Sequence, residues 1–152
     1  SNSSTLLWII WTMSSGVAVN QECISEFNAF KLKNQNRYIL FKLSDDLKEV
    51  VIEKKAAPET TYAEFVAELP EQDCRYAIYN FEYDSGSDGK RAKIVFVIWA
   101  PDTAPIKKKM IYASTKDAIK KAFQGISVEV QGTDRSEVDF EEVLNKCKSV
   151  SK

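Results

Sequence analysis

The chain has 152 residues, 44% hydrophobic and 28% charged, the balance of an ordinary globular protein with one core. Its net charge of −1 means that no global field draws it to nucleic acid or an acidic membrane, so electrostatic recognition must come from local patches. Histidine is absent, which removes the commonest general base and metal ligand, and no phosphate-cradling or nucleophile-elbow pattern is present, so the composition argues against an enzyme.

The apolar run Leu6 to Trp11 comes first. As a helix it would span only ~9 Å, against the ~30 Å of a hydrocarbon core. No basic residue precedes it and no small-residue cleavage site follows, so it does not read as a signal peptide. Each large apolar side chain gains ~1.5–3 kcal/mol on burial, so the run is expected to dock on its own domain or to promote self-association of an otherwise monomeric chain.

Asn20 is placed to cap a helix running to about Lys33, with Cys23, Phe27 and Phe30 on its inner face. Arg37 to Leu43 and Glu49 to Lys55 read as strands joined at Ser44-Asp-Asp. Thr61-Tyr-Ala-Glu64 is a capping-box pattern opening a short helix that ends before Pro70. Cys74 to Tyr83 and Arg91 to Trp99 form a strand pair across an Asp84–Gly89 turn, and the apolar run Ile94 to Trp99 predicts burial on both faces. Ile39, Tyr79, Phe81, Ile94, Phe96 and Trp99 are the expected core.

A long helix follows, bounded by Pro101 and Pro105 before it and Gly125 after it. At ~100° per residue, Ile111, Thr115, Ala118, Ile119 and Ala122 form its core stripe. The opposite face collects Ile106, Lys109, Met110, Ala113, Lys116, Asp117 and Lys120. A soft apolar pair among lysines fits a helix that enters a groove on a partner. On helix geometry alone, a solvated lysine face with two stray apolar residues fits equally well. Ser127 to Val130 reads as a last short strand, and Asp134 or Ser136 as the cap of a final helix to about Lys148. Cys23, Cys74 and Cys147 are widely spaced and odd in number, which suits reduced thiols better than disulfides or zinc. The neighbouring acids Asp45/Asp46 and Glu141/Glu142 read as solvated.

Several stretches together resemble the cofilin/actin-depolymerising-factor (ADF) family. Asp102-Thr-Ala-Pro105, Lys107-Lys-Lys-Met-Ile-Tyr-Ala-Ser114 and Lys116-Asp-Ala118 resemble its long-helix signature. Asp73 to Tyr83, Gly89 to Phe96 and Val130 to Asp134 resemble its central strands and the approach to its last helix, and Met13 to Val19 its N-terminus. The resemblance runs in order from about Met13 to about Val150, and the compact Asp84–Gly89 loop is similar to the short fungal-type members. Residues 1–12 stand outside it and are read as an extension, with Ser1-Asn2 as an expression scar and Met13 as the physiological start. Residues 13–152 are read as one ADF-homology domain.

The resemblance implies an α/β (α+β-like) fold, a mixed sheet of about five strands flanked by helices on both faces. It implies an actin-binding protein without covalent chemistry or cofactor, which binds monomers and filaments, prefers ADP-actin, and severs or depolymerises filaments. By position, the surface for both actin forms would comprise Ser14, Ser15, Gly16, Val17, Ile106, Lys107, Lys109, Met110, Asp117, Lys120 and Lys121. The filament-only surface would comprise Lys90, Arg91, Lys93, Asn145, Lys146 and Lys148; Asn145-Lys146 departs from the family's Glu-Arg-type positions, which removes bidentate arginine pairing. Ser15, and after it Ser14, match the inhibitory phosphorylation position, and the same lysines would hold phosphoinositide headgroups. The expected location is the cytoplasmic actin cytoskeleton, in cortical patches, and the nuclear matrix. The rival readings are a non-severing relative of the coactosin or twinfilin type and a phosphoinositide-binding adaptor; a nucleic-acid partner is not expected.

Overall fold

A continuous run of apolar and aromatic strands in the middle of the chain dictates the architecture. In the computed structural model, which describes residues 17–33 and 35–150, they form one six-stranded sheet in the order β1-β3-β2-β4-β5-β6. The strands are β1 (Ala18–Val19), β2 (Tyr38–Leu43), β3 (Glu49–Ala56), β4 (Arg75–Asp84), β5 (Lys90–Trp99) and β6 (Val128–Gly132). The inner pairs are antiparallel, whereas β1 on β3 and β6 on β5 are parallel, so the sheet is mixed. The sixth strand beyond the five expected is β1, only two residues long, too short for any alternation to announce it.

The helices are α1 (Gln21–Lys33), α2 (Tyr62–Glu68), α3 (Ile106–Ala122) and α4 (Phe140–Ser149). Strand alternation divides the core into two layers. Ile39, Phe41, Tyr76, Ile78, Phe96 and Ile98 pack with α1 and α3 on one side. Leu40, Tyr79, Phe81, Val95, Val97 and Trp99 pack with α2 and α4 on the other. Of the six expected core residues, Ile94 alone is half-buried; the other five are buried.

The caps follow the sequence closely. Asn20 Oδ1 accepts from Glu22 N at 2.8 Å at the start of α1, and Thr61 and Glu64 form a reciprocal capping box on α2. The last helix begins later than expected, because Asp134 caps a 3-10 turn over Arg135–Val138 and Asp139 caps α4. Gly132 has no room for a Cβ, which would lie 2.7 Å from Val138 and 3.1 Å from the Trp99 ring; the end of β6 therefore closes onto the core.

The core stripe of α3 is rotated slightly from the expected one. Thr115 and Ile119 are buried as expected, Ile111, Ala118 and Ala122 are half-buried, and Tyr112 is buried at 2% exposure. A polar side-chain tip hid Tyr112 from a hydrophobic count; its hydroxyl accepts from the Leu43 amide at 2.9 Å.

Candidate functional site

The long helix owes its place to what precedes it. Ala104 is buried, its amide donates to the Pro101 carbonyl at 2.9 Å, and Thr103 Oγ1 donates to the Glu71 carbonyl. Pro105 then stands at the N-cap, one position earlier than the first helical turn, and leaves Ile106 to begin α3. With Tyr112, Thr115 and Ile119 turned to the sheet, the reverse side faces outward. Ile106 is 72% exposed and Met110 66%, one helical turn apart. Leu32, Phe140 and Val150 are the other large exposed apolar residues among those described, and none is within one turn of another.

The lysines around this pair are not equivalent. Lys107 is exposed and makes no ion pair among the described residues. Lys109 reaches back to the Asp102 carbonyl at 3.3 Å, leaving its charge without a carboxylate. Lys108 lies 3.1 Å from Asp73, whose second oxygen accepts from Arg75 at 2.9 Å, and the Arg75 fork clasps Glu53 at 2.8 and 3.1 Å. Partial burial pushes the Asp73 pKa up, but hydrogen bonds from Arg75, the Cys74 amide and Lys108 outweigh it and hold the carboxyl below its ordinary value.

Two turns on, Lys120 lies 2.6 Å and Lys116 3.5 Å from Glu129 on β6. Burial acts against the Glu129 charge, yet the Lys120 hydrogen bond and the two ammonium charges leave its pKa lowered. Asp117 is exposed beside them, and Lys121 is exposed on the next position. Of the residues expected on one surface, the structure thus sets Ile106, Lys107, Lys109 and Met110 together at the start of α3. Lys120 also serves as a fastening to β6. Val17 is 2% exposed and belongs to the core, so its side chain is not a contact residue. Ser14, Ser15 and Gly16 lie outside the described residues.

The second expected patch combines β5 and α4. Arg91 and Lys93 register opposite Tyr83 and Phe81, so they project to the α4 side, whereas alternation sends Lys90, opposite Asp84, to the other face. Tyr83 donates to the Cys147 carbonyl at 3.4 Å, which brings the C-terminal turn of α4, with exposed Asn145, Lys146 and Lys148, beside the beginning of β5. Burial pushes the Cys147 thiol up to about 11, moderated by the nearby Lys93 charge. Cys23 and Cys74 are likewise buried and free, with desolvation raising them to about 12 and about 11.

Sequence reasoning missed three groups that position the surface: Tyr112, Asp73 as the partner of Lys108, and Glu129 as the partner of Lys116 and Lys120. The surplus of lysines on α3 was the available signal, because a charge run on a packed helix invites carboxylates from neighbouring elements. Among the described residues, no three His, Cys, Asp or Glu side chains cluster to hold a metal ion, and no helix is long and apolar enough to cross a membrane.

A mixed sheet between helix pairs, with one long helix turning an apolar and basic ridge outward, is the form of an ADF-homology domain. Residues 16–148 match the family of cofilin/tropomyosin-type actin-binding proteins. Cofilin of Mycosarcoma maydis is 52% identical over 134 residues, which cover 88% of this chain and 96% of that one. Actophorin of Acanthamoeba castellanii is 49% identical over 134 residues, with the same coverage of each chain. The crystal structure of Streptomyces griseoflavus cofilin superposes with a TM-score of 0.82 at 45% identity, covering 88% of this chain and 98% of that one. The chain belongs to the cofilin/ADF family of actin-binding proteins.

Proposed function

We infer that the chain binds actin monomers and filaments through the ridge of α3, prefers ADP-bound subunits, and severs and depolymerises filaments. The observation that carries this reading is the exposed Ile106–Met110 pair beside Lys107 and Lys109, whose charges meet no carboxylate of their own domain. An apolar anchor desolvated in a groove supplies affinity, and the flanking ammonium groups select acidic side chains around it. Arg91, Lys93, Lys146 and Lys148 supply a second surface that only a filament can engage, since it faces another side of the domain. Severing then needs no covalent step: a ligand that binds a twisted subunit arrangement more tightly shifts the lattice towards it, and strain collects at the borders of decorated stretches.

Two controls belong to the same reading. Ser15 is two residues from buried Val17, hence within about 7 Å of it along the chain, and β1 contacts α3. A phosphate there adds about −1.5 to −2 charge beside a surface that must meet acidic actin. Phosphoinositide headgroups would compete for Lys107 and Lys109, so membrane and actin binding would exclude each other. The protein would act in the cytoplasmic actin cytoskeleton.

Imaging single fluorescent filaments by total internal reflection tests the reading. Severing by the chain, lost in Lys107→Ala/Lys109→Ala, is the expected result. Binding without severing would move the chain to the coactosin-like class, and no binding at saturating protein would leave the fold without this activity.

A further inference from the structure

The described fold begins at a fixed point. Val17 is buried, the Ala18 amide donates to the Lys48 carbonyl at 2.9 Å, and β1 runs parallel to β3 and contacts α3. From that point the sequence continues N-terminally into Leu6-Leu-Trp-Ile-Ile-Trp11, six consecutive large apolar residues with no charge. Such a run requires cover, and the surface within its reach can be bounded.

Val19 registers beside Val50, Val50 beside Leu43, and the Leu43 amide meets the Tyr112 hydroxyl. Two strand spacings of ~4.8 Å and a tyrosine's length therefore separate β1 from the axis of α3, so the Ile106–Met110 ridge lies on the order of 20 Å from Val17. Trp11 is six residues from Val17 and Leu6 eleven, which allows the run to reach between about 20 and 38 Å at ~3.3–3.6 Å per residue. The tether spans the distance without slack to spare at Trp11 and with ample slack at Leu6.

The ridge also fits the run chemically. Ile106 and Met110 are the only large exposed apolar pair one turn apart among the described residues. A thioether packs well against an indole edge, and Lys107 and Lys109 can sit over indole faces, which the run offers at Trp8 and Trp11. Leu32, the other strongly exposed apolar side chain at 78%, stands alone at the far end of α1 between Lys31 and Lys33.

We propose that the Leu6–Trp11 run folds back onto the Ile106–Met110 ridge of its own chain and occupies the actin-binding face until actin displaces it. This rests on the reading of α3 as that face. Displacement makes the apparent affinity fall by the fraction of molecules with the ridge open, so ninety per cent occupancy weakens actin binding about tenfold.

The chain has only two methionines, Met13 and Met110, so methyl labelling gives two assignable signals and one of them reports the ridge. In the full chain, the Met110 methyl should show an upfield ring-current shift and cross-peaks to indole protons, independent of protein concentration. Trp8→Glu/Trp11→Glu in the full chain should return it to a solvent-exposed position and raise filament affinity about tenfold in co-sedimentation. A Met110 methyl unchanged by the double substitution would overturn the proposal. A shift that fades on dilution would overturn it in favour of a second copy as occupant. A shift present with equal actin affinity in both chains would overturn the obstruction. Clear docking with no actin binding by either chain would instead remove the actin reading of α3 and leave the intrachain contact standing.

Discussion

The two ends of α3 carry the same residue type and use it differently. Near the C-terminal end, Lys116 and Lys120 close on Glu129 of β6, fastening the helix to the edge of the sheet. At the beginning, Lys107 and Lys109 flank two exposed apolar side chains and meet no carboxylate, while Lys108 between them is turned to Asp73. In a helical projection all five lysines look like one basic stripe. What separates them is whether another element brings an acid within reach, and that difference marks which charges remain available to a partner.

Substitutions at the two ends should therefore part in what they change. The largest expected effect is on binding: Lys107→Ala/Lys109→Ala should weaken actin affinity at least ~30-fold, since losing a desolvated charge at an interface costs ~2–5 kcal/mol. Its melting temperature should stay within about a degree of the parent's, because neither side chain supports the fold. Ile106→Ala/Met110→Ala should cost about tenfold in co-sedimentation, again at unchanged stability. A large drop in melting temperature in either variant would erase the distinction.

Smaller effects are expected from the fastenings, and these should appear in stability rather than affinity. Asp73→Asn weakens the Lys108 and Arg75 contacts together and should lower stability by about 1–2 kcal/mol, or about 2–8 °C in melting temperature. Because the Asp73 carboxyl is held below its ordinary value of 3.8, its contribution is complete above that value and lost as pH falls through the lower folded value. Glu129→Gln should cost less, ~0.5–1 kcal/mol, since its partners are partly solvated and salt-screened. Its pKa too is lowered from 4.5, so urea midpoints of parent and variant should differ at pH 7 and converge as pH falls through the folded value. The smallest effect concerns the three buried thiols: native protein should react with a thiol-specific disulfide reagent far more slowly at pH 8 than unfolded protein, with no loss of structure over that time.

Much of the fold was legible because local rules act over short distances. Proline and glycine bracket α3, Thr61 and Glu64 announce α2, and the aromatic density of β4 and β5 declares the centre of the sheet. The site was legible only in outline. Met110 and Ile106 stood out by periodicity, but the partners of Lys108 and Lys120 lie 35 and 9 residues away in sequence, and nothing local connects them. The rotation of α3 was hidden for a related reason. Tyr112 is buried because a strand amide needs an acceptor, a demand set by tertiary placement and not by hydrophobicity. The short β1 and the late start of α4 likewise follow from neighbours, through the β3 edge and the Asp139 cap.

The Tyr112 hydroxyl on the Leu43 amide has a consequence for how this surface can vary. Tyr112 and Met110 stand ~200° apart around the helix, on nearly opposite sides. The aim of the outer ridge is thus fixed from behind, by a bond that never touches a partner. Outer residues can be exchanged freely, and the domain serves as an adjustable die whose pattern is recut without disturbing the press. Removing the hydroxyl does the reverse: it leaves every outward side chain chemically intact and redirects all of them at once.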